Sequence, residues 1–175
     1  MAGEKPNSPV MILGGLASSI GLYSASLAVG MGSSEVLYLD NDSERLKIAE
    51  SLGAKAVSYS VLPKAWERKF PLIADCHGLK EGMDFALKSL STEGIYGSAS
   101  IFWTNKLEIP YLDLYNTGAT LKIGRVDSRE YIPHILKKIS EKKIKPEKIV
   151  TKICSFEEAT EAWLEPAIKL VVKMD

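Results

Sequence analysis

The stretch that decides the fold is "PVMILGGLASSIGLYSASLAVGMGSSEVLYLDND", residues 9–42. It begins with an apolar run of strand length, which is followed by the double glycine Gly14-Gly15. A segment rich in Ala, Leu and Val then leads to a second apolar run, which ends at Asp40. This order predicts a strand, a turn, a helix and a second, parallel strand, which together form a βαβ unit.

The alternation of apolar runs and helical patterns continues to the end of the chain. The runs are continuously apolar, which is typical of strands covered on both faces of a parallel sheet. The sequence therefore predicts an α/β fold with a doubly wound, mostly parallel, Rossmann-like sheet. We expect one domain over residues 9–175, preceded by a disordered or cloning-derived lead at 1–8, and the segment 101–118 is interpreted as a packing loop. The strands are expected at 10–13, 36–39, 56–59, 72–76, 94–99, 120–124 and 168–172, and the helices at 20–31, 43–52, 81–90, 128–143 and 155–164.

Composition excludes several classes of function. The chain has 175 residues, of which 46% are hydrophobic, which is enough for one core. The 22 basic and 22 acidic residues cancel, so there is no overall field to attract nucleic acid or an anionic membrane. No apolar run approaches the roughly 20 residues needed to cross a bilayer. We expect a soluble, cytoplasmic protein with neither nucleic acid nor membrane as a partner.

Cysteine and histidine are too few and too scattered for a metal site. Cys76 and Cys154 belong to no C-x-x-C motif, and His77 and His134 form no H-E-x-x-H pair. Cys76 and His77 are adjacent, but no orienting acid or third ligand is identifiable. We therefore predict no metal site and no catalytic residue, and assign Cys76 and His77 to the lining at a strand end.

The turn "GGLASSIG" has the composition of a phosphate-binding loop but not the strict spacing. Counting back from Gly21, the G-x-G-x-x-G pattern requires glycines at the positions of Leu16 and Ser18. Small residues nevertheless fill the turn where a backbone must approach a pyrophosphate at a helix N-terminus. Two interpretations stay open here: a lengthened phosphate turn, or a buried βαβ unit with no ligand.

The acid at the end of the second strand favours the first interpretation. Asp40 follows Gly21 at close to the offset of about 20 residues at which an acid accepts hydrogen bonds from an adenosine ribose. A carboxylate there repels a 2′-phosphate, so Asp40 predicts NAD over NADP. The alternative is that Asp40 only begins the turn, or caps the next helix together with Asn41 and Asp42. The strand ends "ADCHG" (74–78) and "GIYGSAS" (94–100) are expected to face the same ligand.

These residues resemble the cofactor-binding half of the medium-chain dehydrogenase/reductase family, the zinc-dependent alcohol and sorbitol dehydrogenase type. The resemblance is carried by the stretch above, by "DNDSERLKIAESLGA", "LIADCHG" and "STEGIYGSAS", and by the C-terminal segment from "GRVDSREY" to "PAIKLVV". It covers nearly the whole chain from Pro9. The residues that it implies for NAD binding are Gly14, Gly15, Ser18, Ser19 and Ile20 at the pyrophosphate, Asp40 and Arg45 at the adenosine, Cys76, His77 and Gly78 at the riboses, Gly97, Ser98 and Ala99 at the carboxamide, and Lys169 at a phosphate.

The resemblance also implies what this sequence lacks. Members of the family carry an N-terminal GroES-like domain that holds the catalytic zinc, and no such segment is present here. The resemblance thus implies an NAD(H)-binding domain, inactive in isolation, from an enzyme acting on an alcohol or carbonyl compound, and a homodimer joined through its sheet. A non-catalytic, dimerising module without cofactor affinity remains an alternative, as does an S-adenosylmethionine-dependent methyltransferase. The substrate cannot be named from these residues.

Overall fold

The computed structural model describes residues 5–126 and 128–174. Strands and helices alternate along the chain, as the sequence predicts. The strands are β1 (Val10–Leu13), β2 (Val36–Asp40), β3 (Lys55–Ser58), β4 (Phe70–Asp75), β5 (Leu90–Ser98), β6 (Thr120–Lys122), β7 (Lys152–Ser155) and β8 (Leu170–Lys173). The helices are α1 (Ser18–Gly30), α2 (Ser43–Ser51), α3 (Lys80–Lys88), α4 (Tyr111–Thr117), α5 (Ser128–Ser140) and α6 (Ala159–Leu164), with a 3₁₀ helix at Pro146–Ile149.

Six strands form one parallel sheet in the order β3-β2-β1-β4-β5-β6. The strand order reverses between β1 and β4, so the loops that follow these two strands diverge to opposite faces. In open parallel sheets this switch point creates a crevice at the carboxyl ends of the strands, where ligands bind. The predicted doubly wound α/β fold is confirmed.

The sheet is covered on both faces, which explains why its strands are continuously apolar. In β1, Met11 and Leu13 belong to a buried cluster that includes side chains of α3, whereas Val10 and Ile12 belong to a second cluster with side chains of α1. Successive residues of a strand point to opposite faces, so β1 contributes to both layers. All four side chains are at most 6% exposed. The central strands therefore anchor the carboxyl-end crevice rigidly.

Two expectations about the C-terminal half are corrected. The strand expected at 168–172 is present as β8, but it pairs with β7, which the sequence analysis missed, in a separate two-stranded sheet. The segment 101–118 was expected to be a loop, but it contains α4, since the apolar Leu114 is buried and Gly118 ends the helix with φ of 62°. Within the described residues, no helix is long and apolar enough to span a bilayer.

Candidate cofactor-binding site

The turn after β1 places a helix N-terminus at the sheet's switch point. Its backbone is tied to the end of β4, because Leu16 N–H donates to the carbonyl of His77 and Ala17 N–H to that of Cys76, both at 3.1 Å. In α1, the first backbone N–H with a backbone acceptor is that of Gly21, which donates to the carbonyl of Ala17 at 3.0 Å. No side chain caps this helix.

Three backbone donors are left at the start of α1. The N–H groups of Ser18, Ser19 and Ile20 have no acceptor among the residues that the structure describes. Unpaired N–H groups at a helix N-terminus, together with the helix dipole, favour an anion such as a phosphate. This is the geometry that the sequence predicts for "GGLASSIG".

The turn requires glycine at two positions, because atoms of Asp40 and His77 lie close to its backbone. A Cβ atom on Gly14 would lie 2.1 Å from Oδ2 of Asp40, and one on Gly15 would lie 2.7 Å from Cα of His77. Carbon atoms in contact normally stay about 3.5 Å apart or more, so neither position admits a side chain without a shift of its neighbours. By contrast, Leu16 points outward and is 73% exposed. The turn is thus tightly packed on its inner side and open on its outer side.

Asp40 lies at the carboxyl end of β2, across from the turn, and its side chain is fully buried. The carboxylate accepts five hydrogen bonds. Oδ1 accepts from Asn41 N at 2.8 Å, Asp42 N at 3.0 Å and Arg45 Nη2 at 2.7 Å, and Oδ2 accepts from Tyr38 Oη and Arg45 Nε, both at 2.8 Å. Asp40 therefore organises the turn after β2, and the separate role of capping α2 belongs to Asp42, which accepts from Glu44 N and Arg45 N.

The contact with Asp40 contributes to the pKa shifts of Arg45 and Tyr38. The hydrogen bond to Asp40 raises the pKa of Arg45, although partial burial acts in the opposite direction. Burial, and secondly the negative charge of Asp40, raise the pKa of the Tyr38 phenol. Tyr38 is thus a neutral donor and Arg45 a cation at physiological pH.

Cys76, His77 and Gly78 follow directly after β4. Burial raises the pKa of the Cys76 thiol to about 12, so the thiol is protonated at neutral pH and is no nucleophile. His77 is 8% exposed, and its Nδ1 has no partner among the described residues. Its ring packs against α3, where a Cβ on Gly82 would lie 2.4 Å from Nδ1.

Two neighbouring clefts open at these strand ends. The smaller, of about 280 Å³, is lined by Gly15, Ser18, Arg45, Tyr59 and His77 among others. The larger, of about 750 Å³, is mostly apolar and is lined by Ile20, Met83, Ser98, Ala99 and Phe102 among others. Ser18 and Ile20, two residues apart at the start of α1, line one cleft each, so the unpaired N–H groups lie between the two.

Seven of the fourteen predicted residues line one of these clefts, namely Gly15, Ser18, Ile20, Arg45, His77, Ser98 and Ala99, whereas Gly14, Ser19, Asp40, Cys76, Gly78, Gly97 and Lys169 line neither. Gly97 is buried in β5 and lines neither cleft, although its neighbours Ser98 and Ala99 line the larger one. Lys169 is exposed beside β8 and its backbone is bonded to Thr151, so the structure does not bring it to either cleft. The role of each residue at a cofactor stays a prediction.

Tyr59 is a cleft residue that the sequence analysis missed. It was assigned to the strand at 56–59, but β3 ends at Ser58 and Tyr59 lies just beyond, with its ring centroid 6.5 Å from that of His77. Burial raises its pKa to about 12, so it is a neutral phenol. In the sequence, the position of Tyr59 at the carboxyl end of a predicted strand could have indicated that it lines a cleft.

The described residues contain no group of three or more His, Cys, Asp or Glu side chains that could hold a metal ion. These described residues therefore do not fit a zinc site. A zinc ion would have to be held by other residues.

Comparison with known proteins relates this fold to solved structures. No protein-family model and no curated protein matches the sequence. Solved structures do match. An alcohol dehydrogenase from Thermus sp. ATN1 superposes with a TM-score of 0.86 at 22% identity, over 97% of this chain and 53% of that chain. The structure of a short chain alcohol dehydrogenase from Escherichia coli CFT073 complexed with NADH gives 0.79 at 24% identity, over 98% and 54%.

A third matching structure is bound to NADP. A protein from Sinorhizobium meliloti 1021, described as a zinc-binding dehydrogenase and bound to NADP, gives a TM-score of 0.84 at 21% identity, over 97% of this chain and 53% of that chain. The chain shares the fold of one half of these dehydrogenases. The resemblance stated from the sequence is thus confirmed at the level of the fold, and the chain spans about half the length of the structures that it matches.

Proposed function

We propose that this chain is the NAD(H)-binding domain of a zinc-dependent oxidoreductase acting on an alcohol or carbonyl compound, and that it has no turnover by itself. The observation that carries the proposal is the unpaired helix N-terminus at Ser18–Ile20, set at the sheet's switch point with an acid at the end of the adjacent strand. The matched dehydrogenase structures, two of them with a dinucleotide, support it.

The proposed binding mode follows the two clefts. The N–H groups of Ser18, Ser19 and Ile20 donate to the pyrophosphate, and Gly14 and Gly15 keep the turn close to the strand ends. The adenosine side occupies the smaller cleft near Asp40 and Arg45, with His77 at its wall. The nicotinamide occupies the larger cleft, where Ser98 and Ala99 orient the carboxamide.

The chain's own part in the chemistry is to bind and orient. A bound nicotinamide supplies a hydride acceptor or donor. The apolar walls of the larger cleft exclude water from one face of the ring. A substrate oxygen has to be polarised by a group outside this chain, since no zinc site fits the described residues.

We propose NAD(H) rather than NADP(H) because an acid ends β2. A carboxylate accepts hydrogen bonds from ribose hydroxyls and repels a 2′-phosphate. The test is a fluorescence titration of the chain with NADH and with NADPH. We expect weak NADH binding, since the chain spans only about half the length of the dehydrogenase chains that it matches, and a lower affinity for NADPH. Absence of NADH binding at millimolar concentration would contradict the proposal.

A second candidate is a non-catalytic module that has lost cofactor affinity. Two observations favour it: the carboxylate of Asp40 is fully buried beneath Arg45, and the exposed Leu16 occupies the phosphate turn. The variant D40A separates the two candidates. It should abolish NADH binding if the domain binds cofactor through Asp40, and there should be no binding to abolish if affinity has been lost.

A homodimer is part of either proposal. Strand β6 pairs with β5 along one edge, and within the described residues its other edge faces no strand. Next to it, α4 exposes Tyr111, Leu112 and Tyr115, each about 70% exposed, and the two tyrosine rings stack at 6.4 Å. An open edge beside an apolar surface is suited to pairing with a second copy. We propose that the dimer forms there, in the cytoplasm.

A further inference from the structure

The five donors on Asp40 fall into two groups. Three come from the strand and turn that carry the acid: the hydroxyl of Tyr38 and the backbone N–H groups of Asn41 and Asp42. The other two come from a single side chain, since the Nε and Nη2 groups of Arg45 bond one carboxylate oxygen each. If Arg45 left, Asp40 would still be held by three donors and would have one free acceptor position on each oxygen.

This pair of positions matches the vicinal hydroxyls of a ribose. A 2′,3′-diol offers two neighbouring O–H donors, as the guanidinium offers two neighbouring N–H donors. With Arg45 in place the side chain of Asp40 is 0% exposed, whereas that of Arg45 is 16% exposed and lines the smaller cleft. In this arrangement a ribose meets the cation and cannot reach the acid.

Arg45 has a second partner close by. Its Nη1 lies 3.7 Å from Oδ2 of Asp42, whose side chain is 40% exposed. The backbone N–H of Arg45 is already fixed by Asp42 at the start of α2. The guanidinium can therefore turn from the buried acid to the exposed one while the helix stays in place.

We propose that Arg45 is a latch on the ribose site: its guanidinium stands in for the ribose diol on Asp40 and must be displaced when NAD(H) binds. This inference rests on the proposed function. NADPH interacts with the latch differently, because its 2′-phosphate is itself an acceptor and pairs with the guanidinium without reaching Asp40. Arg45 thus weakens NADH binding and supports NADPH binding, which sets the degree of discrimination between the two.

The experiment is a titration of wild type, R45M and K47M with NADH and with NADPH. The latch predicts opposite shifts for R45M: NADH binds about tenfold more tightly, since one charge-assisted contact no longer has to be broken, and NADPH about tenfold more weakly. Lys47 is exposed on the same helix, so K47M removes one charge without touching Asp40 and should leave both affinities unchanged. Weaker or unchanged NADH binding by R45M would overturn the latch.

Two further measurements distinguish the latch from other effects. In R45M, ADP should gain affinity whereas 2′,3′-dideoxy-ADP should not; an equal gain for both would show that Arg45 only blocks the cleft, and would overturn the proposal. R45K, with a single ammonium in place of the fork, should tighten NADH binding less than R45M does. If neither NADH nor ADP binds wild type or any variant, the proposed cofactor function itself fails. If NADH binds wild type and R45M gains nothing, only the latch fails.

Discussion

Tyr96 on β5 donates its hydroxyl hydrogen to Oδ2 of Asp75 at the end of β4, at 2.6 Å. Oδ1 of the same carboxyl accepts from the backbone N–H of His77 at 2.8 Å. Both Asp75 and Tyr96 are fully buried. This pair fixes the end of β4 from which Cys76, His77 and Gly78 follow, and repeats on a second strand the arrangement of Tyr38 and Asp40.

The first prediction concerns the pH dependence that Asp75 adds to stability. Burial raises the pKa of Asp75 above its ordinary value of 3.8, although Tyr96 and His77 oppose this. The folded state therefore binds the proton more tightly than the unfolded state, and the contribution of Asp75 to stability falls as pH rises through the folded pKa. D75N stays neutral, keeps Oδ1 as the acceptor for the His77 N–H and presents an Nδ2–H donor to the Tyr96 hydroxyl oxygen, so in urea unfolding it should gain stability relative to wild type as pH rises above 3.8. A stability difference that does not change with pH would contradict this account.

The second prediction concerns the tight inner side of the phosphate turn. G15A places a Cβ against the backbone of His77, which cannot rotate away, so we expect a loss of about 1–3 kcal/mol in the free energy of unfolding. G21A is the matched control. A Cβ there meets Tyr38 Oη at 3.4 Å and Cys76 Cβ at 3.5 Å, which are ordinary contacts, so the substitution should be neutral or slightly stabilising in the helix. Equal losses for both variants would show that the turn is no tighter than the helix.

The third prediction concerns the proposed dimer. Y115E puts a charge into the stacked pair of Tyr111 and Tyr115 beside β6, and should shift the protein to monomer in analytical ultracentrifugation. Trp163 on α6 is 78% exposed and lies outside this surface, so W163E serves as the control and should leave the assembly unchanged. A wild-type protein that is monomeric at high micromolar concentration would exclude the dimer.

The parts of the fold that the sequence predicts well are those whose local pattern and tertiary environment agree. The strands β1 and β2 are predicted from continuously apolar runs, and both are fully buried. The position of Asp40 at a strand end followed from the same periodicity. These features depend on residues that are neighbours in the chain.

The parts that the sequence did not predict depend on packing between distant residues. The separate pairing of β7 with β8 is not encoded in either strand alone, and α4 was hidden in a segment without a clear period. The fork of Arg45 on Asp40 is a choice of side-chain rotamer, to which no motif corresponds. The sequence could therefore place Asp40 at a strand end, but it could not show that Arg45 covers the carboxylate.

The central claim is that the unpaired helix N-terminus binds the pyrophosphate of NAD(H), and amide chemical shifts measure this directly. In a titration of the ¹⁵N-labelled chain with NADH, the amide resonances of Ser18, Ser19 and Ile20 should move furthest and saturate together. The amide of Gly21, already bonded to Ala17, should move less. If NADH binds while the three amides stay in place, the pyrophosphate lies elsewhere and the account is wrong.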